Sequence, residues 1–477
     1  MRAVLVTIGS LGDLHPFIAT GQALRAHGVD VLLAVPHDHV AKVRAAGLAA
    51  TAILPTFADI CATMGIDEAE AARRVATQRS FVLDAVILPS LAASTAALDE
   101  IAVGADVIVG SLFALAAGIV AEKRGLPLVA LNLQPMVLLS AYDPPAATML
   151  VQAPVGAIGW SWNRILLGMG RAAMRMRYNR QVNRVRAAHG LRSSAATPLF
   201  DPVPAQRAML GCYSPLLARV QPDAPPGTEA IGFPLFDSED GGPAALHPTL
   251  AAFLDRGTPP IVFTLGSFMV HAPGDFFAQA AIAARAVGRR AVLLTGSGAS
   301  GRDEGDLLTI GYAPHSHLFR RAAAVVHHGG IGTTGQAMRA GIAQLVVPFF
   351  GDQIDNAARV ARLGLGLHLR PAAFRGQMAI DGLTRPLDDP VMAARCTTMA
   401  AAIARETPAD TAATRIIAVA AAHSKAYGTI VRRSGSTSNS RPAGGKARWS
   451  QSRRGQMRQE GPIGVALSTP VTSSPSP

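Results

Sequence analysis

"AVVHHGGIGTTGQAMRAGIAQLVVPFFGDQ", residues 324–353, decides how this chain is read. A short apolar run meets two histidines and a glycine cluster. A helix-like stretch follows, then a second apolar run, then an acid–amide pair. The first run reads as a buried strand. The stretch near 333–340 reads as a helix, with Thr333 or Thr334 near its N-terminus and Gly341 just past its end. Glycines 329, 330 and 332 carry no Cβ, so the backbone there can approach a ligand closely. A helix start offers unpaired N–H groups and a partial positive charge. Together these make an anion site, best suited to phosphate. His328 is placed to donate to a phosphate oxygen without a metal.

The same strand-then-helix alternation extends outward in both directions. "PIVFTLGS", a helix near 275–287, "RRAVLLTG", "LLTIGYAP" and "AQLVVPF" surround the opening stretch. "AVLVTIG", "PFIATGQALRAHG", "VDVLLAVP", "DVIVGS", "AAGIVAEKRG" and "PLVALNL" form an earlier series. Continuous apolar runs suit strands covered on both faces, and alternation with helices implies parallel, doubly wound sheets. Two series imply two Rossmann-like domains. The segment "VQPDAPPGTEAIGFPLFDSEDGGPAALHP" is rich in Pro, Gly and acids and reads as the hinge. The expected division is 1–220, 221–424 and a tail from 425.

The chain has 477 residues, of which 49% are apolar, so a sizeable core is available. Its three cysteines, Cys61, Cys212 and Cys396, are widely spaced, which suits a reducing compartment and buried thiols. "MRAVLVTIGS" reads as a first strand, not a signal segment. A cytoplasmic protein is expected. The net charge of +12 is uneven: of 44 basic and 32 acidic residues, nine and one fall from Lys425 onward, leaving 35 and 31 before it. The Ser, Gly, Pro and Arg of that tail cannot build a core, so it reads as disordered, either drawn to polyanions or membranes or simply solvated. No nucleic-acid partner is expected.

Residues 144–200 hold eight Arg and no Asp or Glu. Trp160, Trp162, Ile165, Leu166, Leu167 and Met169 lead in. Two readings stand open: a basic amphipathic helix at the cytoplasmic face of the inner membrane, or a helix with a solvated Arg face.

"YAPH" at 312–315, then "HHGGIGTTGQAMRAG" and "PFFGDQ", resemble the donor-site signature of GT-B glycosyltransferases of the UDP-glycosyltransferase superfamily. Sterol and antibiotic glycosyltransferases share it. "GSLGDLHPFI", "LLSAYDPP", "GFPLFD", "FLDRGTPPIVFTLGS" and "DDPVMAARC" extend the resemblance over most of 1–420, toward the rhamnosyltransferase B chains of rhamnolipid synthesis. The resemblance implies an α/β GT-B fold, two domains facing each other across a cleft. It implies that Tyr312 stacks on the nucleotide base and that the Ala313 backbone pairs with it. His315, where many relatives have Gln, lies near the ribose, and Ser267 faces the phosphates. His328 and the amides of Gly332, Thr333 and Thr334 bind the diphosphate beside Gly330. Gln336 stands where relatives often have a Glu on the ribose hydroxyls, so the nucleotide preference is open. Asp352 and Gln353 bind hydroxyls of the donor sugar.

In relatives the base that deprotonates the acceptor hydroxyl comes from the first domain. Here "GD" places Asp13 there, with an ordinary pKa near 4. Asp13 could equally cap the following helix, and His15 is a rival base. The resemblance thus implies an inverting, metal-independent transferase. The co-substrate is a dTDP- or UDP-linked hexose or deoxyhexose, and the acceptor is lipophilic, such as a hydroxy fatty acid or sterol-like compound. "LNLQPMVLLSAYDPP" either lines the acceptor groove or is core. Alternatives are a nucleotide-sugar epimerase on the same fold, or a subunit that binds without catalysis. Zinc is not expected, because His315, His317, His327 and His328 have no Cys or carboxylate at ligand spacing. "GSLG" lacks the full dinucleotide fingerprint, so NAD is not expected.

Overall fold

The continuous apolar runs form two seven-stranded sheets in a computed structural model, which describes residues 1–78, 80–146, 156–296 and 301–435. The first sheet holds β1 (Arg2–Val6), β2 (Asp30–Pro36), β3 (Ala49–Leu54), β4 (Val107–Ser111), β5 (Leu128–Asn132), β6 (Gln206–Gly211) and β7 (Thr228–Ala230), in the order β3-β2-β1-β4-β5-β6-β7. The second holds β8 (Ile261–Thr264), β9 (Ala291–Leu294), β10 (Arg302–Asp303), β11 (Leu307–Ile310), β12 (Ala324–His327), β13 (Ala343–Val346) and β14 (Gly366–His368), in the order β10-β11-β9-β8-β12-β13-β14. All pairings are parallel except β10 with β11. In each sheet the order reverses beside the first strand, β1 or β8. Ligand crevices in such folds open at the carboxyl ends of strands next to that switch point. The ends of β1, β8 and β12 carry the residues 7–15, 265–268 and 327–332.

Packing joins the two halves. Strand residues Leu5, Leu33 and Val109 share one buried cluster with Phe233, Ile331, Met338 and Val360 of the second half and with Ile416 of the last described helix, Pro408–Gly435. That helix turns back onto the first sheet's side: Arg415 pairs with Glu229 at 2.8 Å and Asp410 with His27 at 2.6 Å. Residues 1–427 form one compact unit.

Two boundaries differ from expectation. β7 belongs to the first sheet, so the crossing segment starts after Ala230 and not at 221; it ends at the helix Pro248–Asp255. The disordered tail was expected from Lys425, but the helix continues to Gly435. An Ala-rich, Gly-poor run to Tyr427 sustains it. Residues 436–477, the rest of the expected tail, lie outside the described residues.

Residues 156–188 form one helix, Gly156–Ala188. Arg177 pairs with Asp84 and Arg186 with Glu122, both borrowed from outside the acid-free segment. Ile158, Trp162, Ile165, Met169 and Met176 are exposed, at spacings that keep them on one face. The run Val82–Ile101 is long and apolar enough to cross a membrane. Its Leu83, Ile87, Leu91 and Leu98 instead pack into the core of the first half.

Candidate active site

The first wall starts at β1. The chain leaves the strand at Thr7 and turns at Gly9, where φ is +141°. A Cβ at Gly9 would stand 2.2 Å from Asp13 Oδ2, so only glycine lets the carboxylate fold back over the turn. There Asp13 Oδ2 accepts from the Ser10 amide at 2.9 Å and from its hydroxyl at 3.3 Å, while Ser10 Oγ accepts from the Gly12 amide. This is a complete capping box at the start of the helix Leu11–Ala26. The capping reading of Asp13 therefore describes its geometry. Its acidity also departs from the ordinary value. Burial outweighs the Ser10 hydrogen bonds and pushes the pKa up to about 6.

His15, two residues on, stacks edge-to-face with Phe236 at 5.4 Å. Its Nε2 is buried without a hydrogen-bond partner. Burial first, then the charge of Lys42, hold its pKa down at about 3. Asp13 and His15 thus share a loop but differ as bases. An effective base has a pKa near the working pH, which favours the carboxylate.

The facing wall is built at the ends of β8 and β12. His327 is fully buried, pairs through Nε2 with Gln344 Oε1 at 3.0 Å and accepts the Gly329 amide at Nδ1, so it is a packed strand residue. His328 points the other way. A Cβ at Gly266 would sit 2.5 Å from its ring, and one at Gly330 2.4 Å, so the two glycines form the slot that holds the imidazole. Its Nδ1 is buried and unpartnered. Burial holds its pKa down at about 3, so it is neutral. Ser267 is exposed next to Gly266.

The helix Ile331–Ala340 has Gly330 as its N-cap and no side-chain cap. The amides of Ile331, Gly332 and Thr333 have no carbonyl behind them. The Thr334 amide, expected among the ligand-binding ones, instead donates to the Gly330 carbonyl at 2.9 Å, and its hydroxyl does so at 3.0 Å. The helix begins two residues earlier than expected, which places Thr334 inside the first closed turn. Gly341 adopts φ +73° and ends the helix as expected. Gln336 is buried in this helix.

Tyr312 donates to Asp237 at 3.1 Å, and its ring lies 6.4 Å from that of His315. Ala313 is buried, and its carbonyl lies 3.0 Å from His315 Nδ1. Asp352 opens the helix Asp352–Arg362 and accepts from Asn356 at 3.1 Å. Burial first and then the charge of Asp13 push its pKa up to about 7, so these two carboxyls from opposite walls feel each other. Gln353 is committed on one side: its Oε1 accepts the amides of Phe349 and Phe350, which leaves its NH₂ for a ligand.

Two cross-wall ties were not anticipated from the sequence. Arg359, 2% exposed, bonds Asp355 at 2.7 Å and Asp143 at 2.6 Å, and the Ala146 amide donates to Asp355. The "YDPP" loop of the first half is thereby fastened to the helix that carries Asp352. Within "LNLQPMVLLSAYDPP", Leu133, Val137, Leu138 and Ala141 are core. At the opposite rim, Phe57 meets Phe268 at 5.8 Å, and Glu68 meets His271 at 3.3 Å. An i,i+4 Asp–Arg pair at 355 and 359 was legible as a pattern. Its long-range partner Asp143 was not.

Among the described residues no group of three His, Cys, Asp or Glu side chains is arranged to hold a metal ion.

Comparison with known proteins agrees with this architecture. Residues 304–419 match the family described as erythromycin biosynthesis protein CIII-like, C-terminal domain. The chain is 32% identical over 415 residues to O-mycaminosyltylonolide 6-deoxyallosyltransferase of Streptomyces fradiae, covering 85% of this chain and 94% of that one. It is 32% identical over 377 residues to vancomycin aglycone glucosyltransferase of Amycolatopsis orientalis, covering 77% and 85%. Among solved structures, the glycosyltransferase VinC in complex with dTDP superposes with a TM-score of 0.62 at 18% identity, covering 88% of this chain and 99% of that one.

Proposed function

Because the chain belongs to the GT-B glycosyltransferase superfamily and is a nucleotide-sugar glycosyltransferase, we propose that it transfers a hexose or deoxyhexose, glucose or rhamnose, from a dTDP- or UDP-linked donor to a hydroxyl of a lipophilic acceptor, with inversion. The observation that carries this reading is the pair of facing walls. One presents an uncapped helix start with His328; the other presents Asp13. The diphosphate takes the amides of Ile331, Gly332 and Thr333 and a hydrogen bond from His328. The base ring lies on Tyr312 over the Ala313 backbone, with His315 and Gln336 toward the ribose and Ser267 toward the phosphates. Asp352 and the Gln353 amide take sugar hydroxyls. An Asp352 near neutrality can donate as well as accept.

Asp13 then serves as base. Both Ser10 bonds end on Oδ2, which leaves Oδ1 for the proton of the acceptor hydroxyl. The acceptor oxygen attacks the anomeric carbon, the bond to the diphosphate breaks on the opposite face, and charge develops on the leaving phosphate beside the helix start. Direct displacement inverts the centre. By their names the relatives above act on O-mycaminosyltylonolide and on vancomycin aglycone, and that supports a bulky acceptor. Transfer is tested by measuring nucleotide released from dTDP-rhamnose and UDP-glucose with and without hydroxy fatty acids and sterols. Release that requires an acceptor is the expected result. Sugar isomerisation without transfer, or nucleotide binding with no turnover on any pairing, defeats the proposal in favour of an epimerase or a silent subunit.

We also propose a peripheral membrane contact through the exposed face of the helix Gly156–Ala188, supported by its apolar stripe and the acid-free, Arg-rich sequence around it. Sedimentation with phosphatidylglycerol vesicles tests it, and equal recovery with and without vesicles refutes it.

A further inference from the structure

Lysine is scarce in this chain: Lys42, Lys123, Lys425 and Lys446 stand against forty Arg. One of the four is buried. Lys42, in the helix His37–Ala45, is 7% exposed, and its Nζ has no hydrogen-bond partner. Lysine is almost never buried without a partner, because an ammonium loses its hydration and needs replacement acceptors. Carboxylates lie close enough for Asp237, Glu239 and Asp240 to act on Lys42 electrostatically. Two of them are already engaged. Asp237 accepts from the Tyr312 hydroxyl and the Ser316 amide, and Asp240 from Ser238 and the Gly242 amide. The crossing segment also closes tightly over the lysine's own helix, since a Cβ at Gly241 would stand 2.2 Å from the Lys42 carbonyl. The amine is therefore buried on a helix that the crossing segment covers.

Lys42 has company. His15 Nε2 and His328 Nδ1 are also buried and unpartnered. His15 feels the charges of both Lys42 and His315, and His328 feels that of His315. Each of these three residues leaves a buried polar atom unsatisfied, and His15 packs on Phe236, the neighbour of the Asp237 that accepts from Tyr312. A buried polar atom without a partner calls for an explanation, and a polar ligand supplies one.

We propose that Lys42 is a donor-binding residue supplied by the N-terminal half, its amine donating to oxygen atoms of the nucleotide seated against Tyr312 and His315. This rests on the donor-site reading above. It adds a contact that spans the cleft, so that donor binding itself draws the two halves together. Burial first, partly offset by the three carboxylates, holds the Lys42 pKa down at about 8. The amine thus remains mostly charged at neutral pH, while the desolvation already present lowers the additional cost of meeting a ligand.

The test uses the full chain and titrates dTDP, UDP and thymidine by calorimetry. Lys42→Met keeps the aliphatic stem and removes the amine. A lost bond to a charged or polar acceptor weakens binding about ten-fold or more. Loss for dTDP with thymidine unchanged assigns the contact to phosphate oxygens; loss for both assigns it to the nucleoside. Unchanged affinity for all three overturns the proposal. Because a variant here can fail to fold, the wild type provides a second readout. With ¹³Cε-labelled lysine only four signals arise, and the one missing in Lys42→Arg is Lys42. It is expected to shift on dTDP addition while the Lys123 signal stays. A stationary Lys42 signal under saturating dTDP overturns the inference alone, whereas a wild type that binds neither dTDP nor UDP overturns the donor-site reading with it.

Discussion

Two helix starts in this molecule are built in opposite ways. The helix Leu11–Ala26 is closed by a full capping box, Ser10 with Asp13. The helix Ile331–Ala340 begins at Gly330 with no side-chain cap at all. Capping an N-terminus is worth about 0.5–2 kcal/mol, so leaving one bare forgoes stability. The bare start is also the one with neutral His328 in a glycine slot beside it. The capped start carries a carboxylate with a raised pKa. The difference matches the roles we propose for the two ends, anion binding at the bare one and proton transfer at the capped one. In that proposal the uncapped start offers its amides to the donor's negative charge, whereas the capped one spends its side-chain contacts on Ser10 and Gly12.

The largest expected effect breaks the proton side. Asp13→Asn keeps the shape, and the Asn amide oxygen can still accept from the Ser10 amide in the capping box. If the carboxylate is the base, kcat falls by about 10²–10⁴-fold with dTDP affinity nearly unchanged. If it only caps, steady-state rates and melting temperature both match wild type. His15→Ala is the control: a dead His15→Ala beside an active Asp13→Asn transfers the role to the histidine.

Next comes the tie that holds the walls in register. Arg359→Met strands the buried Asp355 without its cation and leaves Asp143 only Arg362 at 3.6 Å, and breaking a buried pair from one side costs about 3–5 kcal/mol. Denaturant unfolding is expected to show a loss of that size. A loss below about 1 kcal/mol, the scale of a surface ion pair, would show that the cross-wall tie is solvated in solution.

His328→Ala sharpens the anion side. Loss of one bond to a phosphate oxygen weakens donor binding by about 1.5–3 kcal/mol, read as a rise in the dTDP dissociation constant. An unchanged constant removes His328 from the site.

The smallest effect concerns pH. Asp13 and Asp352 have folded pKa values raised to about 6 and about 7 from 3.8. Each raised carboxyl holds a proton in the fold that the unfolded chain has already lost, so its contribution to stability is present at low pH and is lost as pH rises through the folded value. Activity that needs ionised Asp13 runs the other way and climbs through about pH 6. In Asp13→Asn the decline in stability between pH 4 and 7 is expected to shrink. An identical pH dependence in the variant would mean that Asp13 has an ordinary pKa.

Much of the fold was legible because buried parallel strands are continuous apolar runs bounded by Gly and Pro. β1, β2, β4, β5, β8, β9 and β12 announce themselves this way. β3 (AATAIL) and β6 (QRAMLG) do not, since alanine and mixed polarity read as helix or loop, and only the neighbouring strands make them strands. β14 (GLH) is too short for any periodicity. The turn proposed to bind the diphosphate was visible because glycines, a helix start and a histidine fall within ten residues. What periodicity could not show was distance along the chain. Asp143 with Arg359, Asp237 with Tyr312, and Phe236 with His15 are separated by 216, 75 and 221 residues, and none has a local signal. The Thr334 error was one of phase: glycines at 330 and 332 hid the first helical turn, because glycine is a poor helix former and the turn begins among them.

The contrast between the two helix starts is tested most directly by hydrogen exchange, with wild type alone and saturated with dTDP. The first-turn amides of Ile331, Gly332 and Thr333 have no intrahelical acceptor and are expected to exchange fast without ligand and slow markedly with it. The capped turn at 11–14 should change far less. Slowing at 331–333 exceeding that at 11–14 is the predicted result. Bound dTDP that leaves 331–333 as fast as before would contradict the assignment of that bare helix start as the diphosphate site.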